Sequence, residues 1–253
     1  MNGKVYFIGA GPGDPELLTV KAKRIIDTAD VIIYADSLIN PEICSGVRKE
    51  VKVYRSSSLT LEEITSIITN AAGNGKTVAR LQSGDPAIYG AIYEQMSALD
   101  EKGIAYEIVP GVSSMFAAAS ALKSELTIPG LTQTVIVTRM SGRTPVPFGE
   151  ELRGLAAHHC SLVIFLSTSL VEDVRAELLS GGYTPDTPVA VVYRASWPDE
   201  LIIRTTLNDM ANDVKKSGLT KQALIMVGSF LQSQESELRS KLYDGDFKHE
   251  YRR

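Results

Sequence analysis

The sequence predicts an α/β protein made of two α/β domains, and three observations carry that reading. Short β-rich runs alternate with helical patterns through the first half of the chain, a stretch at 127–148 with prolines at 129, 145 and 147 breaks the rhythm, and the alternation then resumes. Such alternation implies a mostly parallel sheet, because parallel neighbours need a crossover between them and a helix supplies it.

Taken in order, "KVYFIG" (4–9) reads as a first strand. A helix is expected from about Pro15, with Leu18, Ala22, Ile25, Ile26 and Ala29 sharing one face. "VIIY" (31–34) is a buried strand. Thr60 and Glu63 form a capping-box pattern ahead of a helix that carries Leu61, Ile64, Ile67, Ile68 and Ala71 and stops at Gly73 and Gly75. "TVARLQ" (77–82) is the next strand, a helix from about Pro86 to Glu101 follows, and "YEIVP" (106–110) is the fourth strand. A domain junction near residue 127 separates 1–126 from 127–231, and "TVIVTR" (134–139) opens the second sheet. Further strands are expected at 161–167, 188–194, 201–206 and 222–228, with helices near 149–157, 169–180 and 207–217. The polar residues 232–253 read as a surface helix or a loose tail.

Composition narrows the classes of function. With 44% hydrophobic and 22% charged residues in 253, the chain has the balance of an ordinary globular protein. No apolar run reaches the roughly 20 residues of a membrane helix and the start lacks signal-peptide features, so no membrane partner and a cytoplasmic location are expected. A net charge of −4 without a Lys/Arg cluster weighs against a nucleic-acid partner. Cys44 and Cys160 stand alone, and His158, His159 and His249 lack metal-ligand spacing, so no protein-held metal is expected.

"FIGAGPGDPELLT" (7–19) places glycines between a strand and a helix, as a dinucleotide loop does. Gly9 and Gly11 fit the G-x-G-x-x-G pattern and Asp36 stands near the position of a ribose-binding acid, but the third glycine is replaced by Asp14. Pro12 has no N–H to donate, and a carboxylate at a helix N-terminus opposes a phosphate. Asp14-Pro15 also reads as a simple helix start, which leaves Gly9, Gly11 and Gly13 unexplained. The motif partly recurs in "LQSGDPAIYGA" (81–91), where Asp85 is either a helix cap or a ligand contact. A third turn, "VPGVSS" (109–114), offers Ser113 and Ser114 as N-cap or ligand hydroxyls, with no histidine base to make a nucleophile of either. In an open α/β sheet all three turns belong to the edge where ligands bind.

With these turns in place the sequence resembles the tetrapyrrole methylase family, which uses S-adenosylmethionine; "GAGPGDPELLT", "SGDPAIYG" and "VPGVSS" carry the likeness. "YADSLIN", "YGAIYEQM", "SELTIPGLTQTVIVTR", "GRTPVP" and "TPVAVVYRASWPDELIIRTTL" resemble the branch acting at C-11 of precorrin-4 or cobalt-precorrin-4. The likeness spans about residues 3–230. Departures stand at Gln82-Ser83, where the branch carries His-Thr, at Met140-Ser141 in place of Ala-Glu, and at Phe148 in place of an acid.

The resemblance implies two α/β domains with an active-site trough between them and S-adenosylmethionine held largely by main-chain groups. By motif, Pro12, Ser83, Gly84, Asp85, Ile88, Ser113, Ser114, Leu166 and Ala223 are its expected contacts. It also implies an acidic tetrapyrrole substrate, a homodimer, and methyl transfer that needs no protein nucleophile. Asp36, Asp85 and Tyr89 are candidates for the final proton acceptor, and Arg139, Arg143 and Arg194 for contacts to substrate carboxylates. Rival readings are a methylase of another ring position, a relative that modifies RNA or protein, a dinucleotide oxidoreductase, and a catalytically silent tetrapyrrole binder.

Overall fold

The computed structural model describes residues 3–232, together with 240, 246–248 and 250. The chain divides into two compact units: one holds Met1–Ala117 with the returning segment Arg194–Asp199, the other Ala118–Tyr193 with Glu200–Arg253. The junction expected near 127 falls inside the second unit, and most of the expected 232–253 tail lies outside the described residues.

The first unit contains β1 (Val5–Gly9), α1 (Val20–Thr28), β2 (Val31–Tyr34), β3 (Lys52–Arg55), α2 (Leu61–Gly73), β4 (Val78–Gln82), α3 (Tyr93–Asp100), β5 (Tyr106–Val109) and the start of α4 (Ser114–Leu122). Its sheet has the order β3-β2-β4-β1-β5 with every pair parallel. Alternation along the strands divides the core. Ile8, Ile32 and Leu81 pack with Ile25 and Ile26 of α1 on one face, and Phe7, Ile33 and Val78 pack with Ile68 of α2 and Leu99 of α3 on the other. The order reverses between β1 and β4, so the C-terminal ends of β1, β4 and β5 lie side by side.

The second unit contains β6 (Val135–Arg139), α5 (Leu152–Ala156), β7 (Ser161–Phe165), α6 (Val171–Ser180), β8 (Pro188–Tyr193), β9 (Leu201–Thr206), α7 (Met210–Ser217) and β10 (Ala223–Val227). Its sheet, ordered β6-β7-β10-β8-β9, is mixed: only β6 and β7 pair in parallel, and the three other pairs are antiparallel. The short connection at 194–200 explains part of this, since a segment of that length returns a chain antiparallel but cannot carry a crossover helix. Leu162, Ile164, Val191, Ile225, Leu178 and Met210 form the centre of its core.

Three element expectations change. Pro15 opens a 3-10 turn, and α1 begins at Val20, where the Thr19 side chain caps the Ala22 N–H. Pro86 does not start α3, because Tyr89 and Ala91 take positive φ (52° and 49°) and delay the helix to Tyr93. The edge strand β3 was not expected; its exposed, polar-rich "KVYR" lacks the apolar run that marks a buried strand. The Thr60–Glu63 capping box forms as read.

Candidate functional site

The first turn is closed by its own backbone. Ala10 donates to the Gln82 carbonyl at 2.8 Å, and Gly11 and Gly84 exchange N–H···O bonds of 3.2 and 2.8 Å. Asp14 N donates to Ser196 Oγ at 3.1 Å, while Pro12 has no N–H. At most one donor, that of Gly13, is left to face a ligand among residues 10–14. That accounting opposes a phosphate nest. The carbonyls are held as well: Trp197 Nε1 donates to Pro12 O at 2.8 Å and Asn40 Nδ2 to Gly13 O at 3.0 Å. Gly13 must be glycine here, because a Cβ would stand 2.1 Å from Trp197 Cδ1.

The second and third turns lock onto the first. A Cβ on Gly111 would lie 2.3 Å from Gly84 O and 2.7 Å from Gly9 Cα, so these glycines let three main chains touch. Asp85 fastens the arrangement: Oδ1 accepts from Ala87 N and Oδ2 from Gly111 N, both at 2.8 Å. It caps its own turn and grips the neighbouring one. Ser113 is buried and precedes α4, with its carbonyl accepting from Phe116 N at 3.0 Å; Ser114 is half-buried and Ser83 exposed. Ile88 is half-buried beside Tyr89, whose ring is exposed.

Beneath these turns lies a polar network in the sheet interior. Arg80 of β4 donates to Gln95 Oε1 and Ser56 Oγ, each at 3.1 Å, and Gln95 Nε2 donates to Ala91 O at 2.8 Å. Desolvation pushes the Arg80 pKa down to about 10, so it stays protonated at neutral pH. Asp36 is exposed at the end of β2 and accepts from Ser57 N at 3.3 Å; hydrogen bonding to Ser57 holds its carboxyl below the ordinary value.

In the second unit the expected residues gather at one sheet edge. Arg139 ends β6, Leu166 follows β7 and Ala223 opens β10 opposite Tyr193; Arg194, the residue after β8, begins the segment that belongs to the first unit. Leu166 is 69% exposed with φ 54°, and Gln222 and Arg194 also have positive φ, of 60° and 46°. Such backbone in residues with side chains is uncommon and concentrates at functional sites. Thr168 Oγ1 donates to Ala223 O at 3.1 Å and fixes the start of β10. Arg139 donates to Thr144 O at 2.9 Å and Pro145 O at 2.7 Å, folding its own loop back. Arg143 lies exposed in that loop. Arg194 pairs with Asp199 at 2.6 Å and stacks over Trp197 at 4.1 Å, which makes it a support for the first turn.

Sequence reasoning missed Trp197, Asn40 and the Arg80 network. A lone tryptophan in the polar run "RASWPDE" was the available signal for the first. Among the described residues, no three of His, Cys, Asp and Glu come together as a metal site, and no helix is long and apolar enough to cross a membrane.

The chain matches the model of the Tetrapyrrole (Corrin/Porphyrin) Methylases over residues 4–211. It is 53% identical to the cobalt-precorrin-4 C(11)-methyltransferase of Methanocaldococcus jannaschii over 252 residues, covering 100% of this chain and 97% of the relative. The X-ray structure of a cobalamin biosynthetic enzyme, cobalt precorrin-4 methyltransferase, superposes with a TM-score of 0.88 at 48% identity, covering 90% of this chain and 96% of that one. The uroporphyrin-III C-methyltransferase of Thermus thermophilus, solved with S-adenosylhomocysteine, superposes with a TM-score of 0.76 at 32% identity, covering 90% and 99%. Acid-ended turns, a closed backbone wall and these likenesses agree: the chain belongs to the tetrapyrrole methylase family.

Proposed function

We propose that the protein transfers a methyl group from S-adenosylmethionine to C-11 of precorrin-4 or cobalt-precorrin-4 in cobalamin biosynthesis. Likeness to enzymes named for that reaction supports the ring position. The structural observation that carries the reading is the glycine-locked junction of the first three turns, which leaves little to bind phosphate but offers close backbone and carboxylates. When bound, the cofactor supplies an electrophilic sulfonium methyl. Its ammonium and hydroxyl groups suit the carbonyls and carboxylates of such turns, and the exposed Leu166 offers an apolar surface to a flat base.

On this reading Pro12, Ser83, Gly84, Asp85, Ile88, Ser113 and Ser114 belong to the cofactor's contacts in the first unit, and Leu166 and Ala223 in the second. Their task is orientation, which in favourable cases contributes up to roughly 7–11 kcal/mol to a transfer reaction. Arg143, and the edges held by Arg139 and Arg194, would meet an acidic tetrapyrrole. For the final proton, Asp85 is a poor acceptor because both its oxygens already hold backbone N–H groups. Asp36 and Tyr89 remain the candidates. A homodimer in the cytoplasm completes the proposal.

Calorimetry should show tight binding of S-adenosylhomocysteine and none of NAD. A labelled-methyl assay should then show transfer to precorrin-4 or its cobalt form, with the preferred form settling the metal. Transfer to uroporphyrinogen III in their place would move the enzyme to another ring position, and binding without any transfer would make it a silent binder.

A further inference from the structure

β4 carries two buried polar side chains that the reading above leaves unused. Arg80 and Gln82, two residues apart on one strand, stand on the sheet face of Val78, Phe7 and Ile33, and are only 6% and 7% exposed. The guanidinium leans toward the strand's C-terminal end: Nη1 reaches Ser56 Oγ at 3.1 Å and the carbonyls of Ile33 and Leu81 at 3.4 Å, while Nε donates to Gln95. All of these acceptors are neutral, and Nη2 takes part in none of these bonds. Gln82 Nε2 is buried without a hydrogen-bond partner among the described residues.

A buried cation among neutral groups and a buried amide donor without an acceptor are each costly. Here both stand on one face, immediately before the Ser83-Gly84-Asp85 turn. A monoanion carries both what the cation lacks, a negative charge, and what the amide lacks, an acceptor. A carboxylate matches the one available positive charge, whereas a phosphate would bring more negative charge beside Asp85. We infer that Arg80 and Gln82 form a carboxylate-binding subsite at the C-terminal edge of the first sheet, Arg80 supplying the charge and Gln82 Nε2 a directed hydrogen bond. The inference rests on the methylase reading, in which carboxylates come from the amino-acid end of the cofactor and from the side chains of the tetrapyrrole.

The test uses the full chain, its Gln82→Leu variant, which removes the donor, and Gln82→Glu, which places a carboxylate in the subsite. Calorimetric probes are S-adenosylhomocysteine, 5′-methylthioadenosine, which lacks the amino-acid end, and uroporphyrin III, a tetrapyrrole octacarboxylate. Gln82→Leu should weaken one carboxylate-bearing probe about tenfold, the effect of losing one hydrogen bond to a charged group, and Gln82→Glu should weaken the same probe further. Loss confined to S-adenosylhomocysteine, with methylthioadenosine unchanged, assigns the subsite to the cofactor; loss confined to uroporphyrin assigns it to the substrate. Equal loss for methylthioadenosine and S-adenosylhomocysteine marks general damage to the turn and overturns the subsite. Unchanged affinity in both variants overturns it too and leaves the methylase reading standing. If the unaltered chain binds none of the probes, that reading falls and the subsite with it.

Discussion

The five strands of the first sheet all run one way, whereas in the second β9 and β10 oppose the other three. In the first sheet the ends of β1, β4 and β5 arrive together, and the chain lets their turns touch by removing side chains at Gly9, Gly84 and Gly111. In the second, strand ends alternate with strand starts, so the backbone does not crowd in the same way. There the edge carries side chains on bent backbone, with Leu166 and Gln222 at positive φ, a strain the first unit shares at Tyr89, Ala91 and Arg194. What sets the first edge apart is the room made by glycine; at Leu166 the second holds strain under a side chain. The two should therefore respond oppositely to exchanging glycine and a side chain.

Gly111→Ala is the largest expected effect. Its new methyl would stand 2.3 Å from Gly84 O, and the atoms it meets are main chain, which cannot swing away. Overpacking of this kind costs about 3 kcal/mol or more, and the Asp85 to Gly111 bond should be lost with it. Urea denaturation should show a lowered midpoint, and S-adenosylhomocysteine binding should fall. A variant with wild-type stability would mean that the glycine contacts do not hold the turns.

The same contrast explains what could be read in the sequence. β1 and β2 announce themselves as apolar runs, and glycine turns follow β1, β4 and β5 at recognisable spacings, so that edge of the first sheet was legible while the exposed strand β3 was not. Pro15 and Pro86 misled because proline fixes φ equally well in a 3-10 turn or an irregular segment, and helix onset was decided instead by Thr19 capping and by positive φ at Tyr89 and Ala91. Trp197 and Asn40 escaped notice because their partners in the first turn are 185 and 27 positions away, and a main-chain carbonyl leaves no mark in a sequence. Arg80 escaped for a related reason: its partners are neutral, so no complementary charge points to it.

Leu166→Gly should act in the opposite direction. With 69% of its surface exposed, Leu166 gives up little packing, and a glycine would relieve the cost of left-handed backbone, roughly 1–2 kcal/mol. Part of that gain is offset by the greater freedom of glycine in the unfolded chain, which leaves about 0.5–1 kcal/mol of added stability. On the proposed function, cofactor affinity should fall in the same variant. A gain in midpoint with a loss of affinity would identify the strain as serving the ligand; destabilisation would show that the Leu166 side chain packs more than its exposure indicates.

The smallest effect expected lies on the surface and compares one stitch from each unit. In the first, Glu107 of β5 accepts from Lys21 of α1 and from Lys4, just before β1, and these hydrogen bonds pull its pKa from 4.5 to about 2. In the second, Asp213 of α7 accepts from Thr205 of β9 at 2.7 Å and, more loosely, from Lys216 at 3.3 Å, and its carboxyl is also held below the ordinary value. A depressed carboxyl stabilises the fold above its unfolded pKa and loses that contribution as pH falls toward the folded one. Stability should accordingly decline between about pH 4.5 and pH 2. Glu107→Gln should flatten that decline, and Asp213→Asn should flatten it less, because a hydroxyl leads its interactions. Because the Glu107 contacts are charged and exposed, salt should shrink their effect more than that of Asp213. Denaturation midpoints taken across this range at low and high salt would separate the two; an equal salt response would mean that the lysines contribute no more at Glu107 than the threonine does at Asp213.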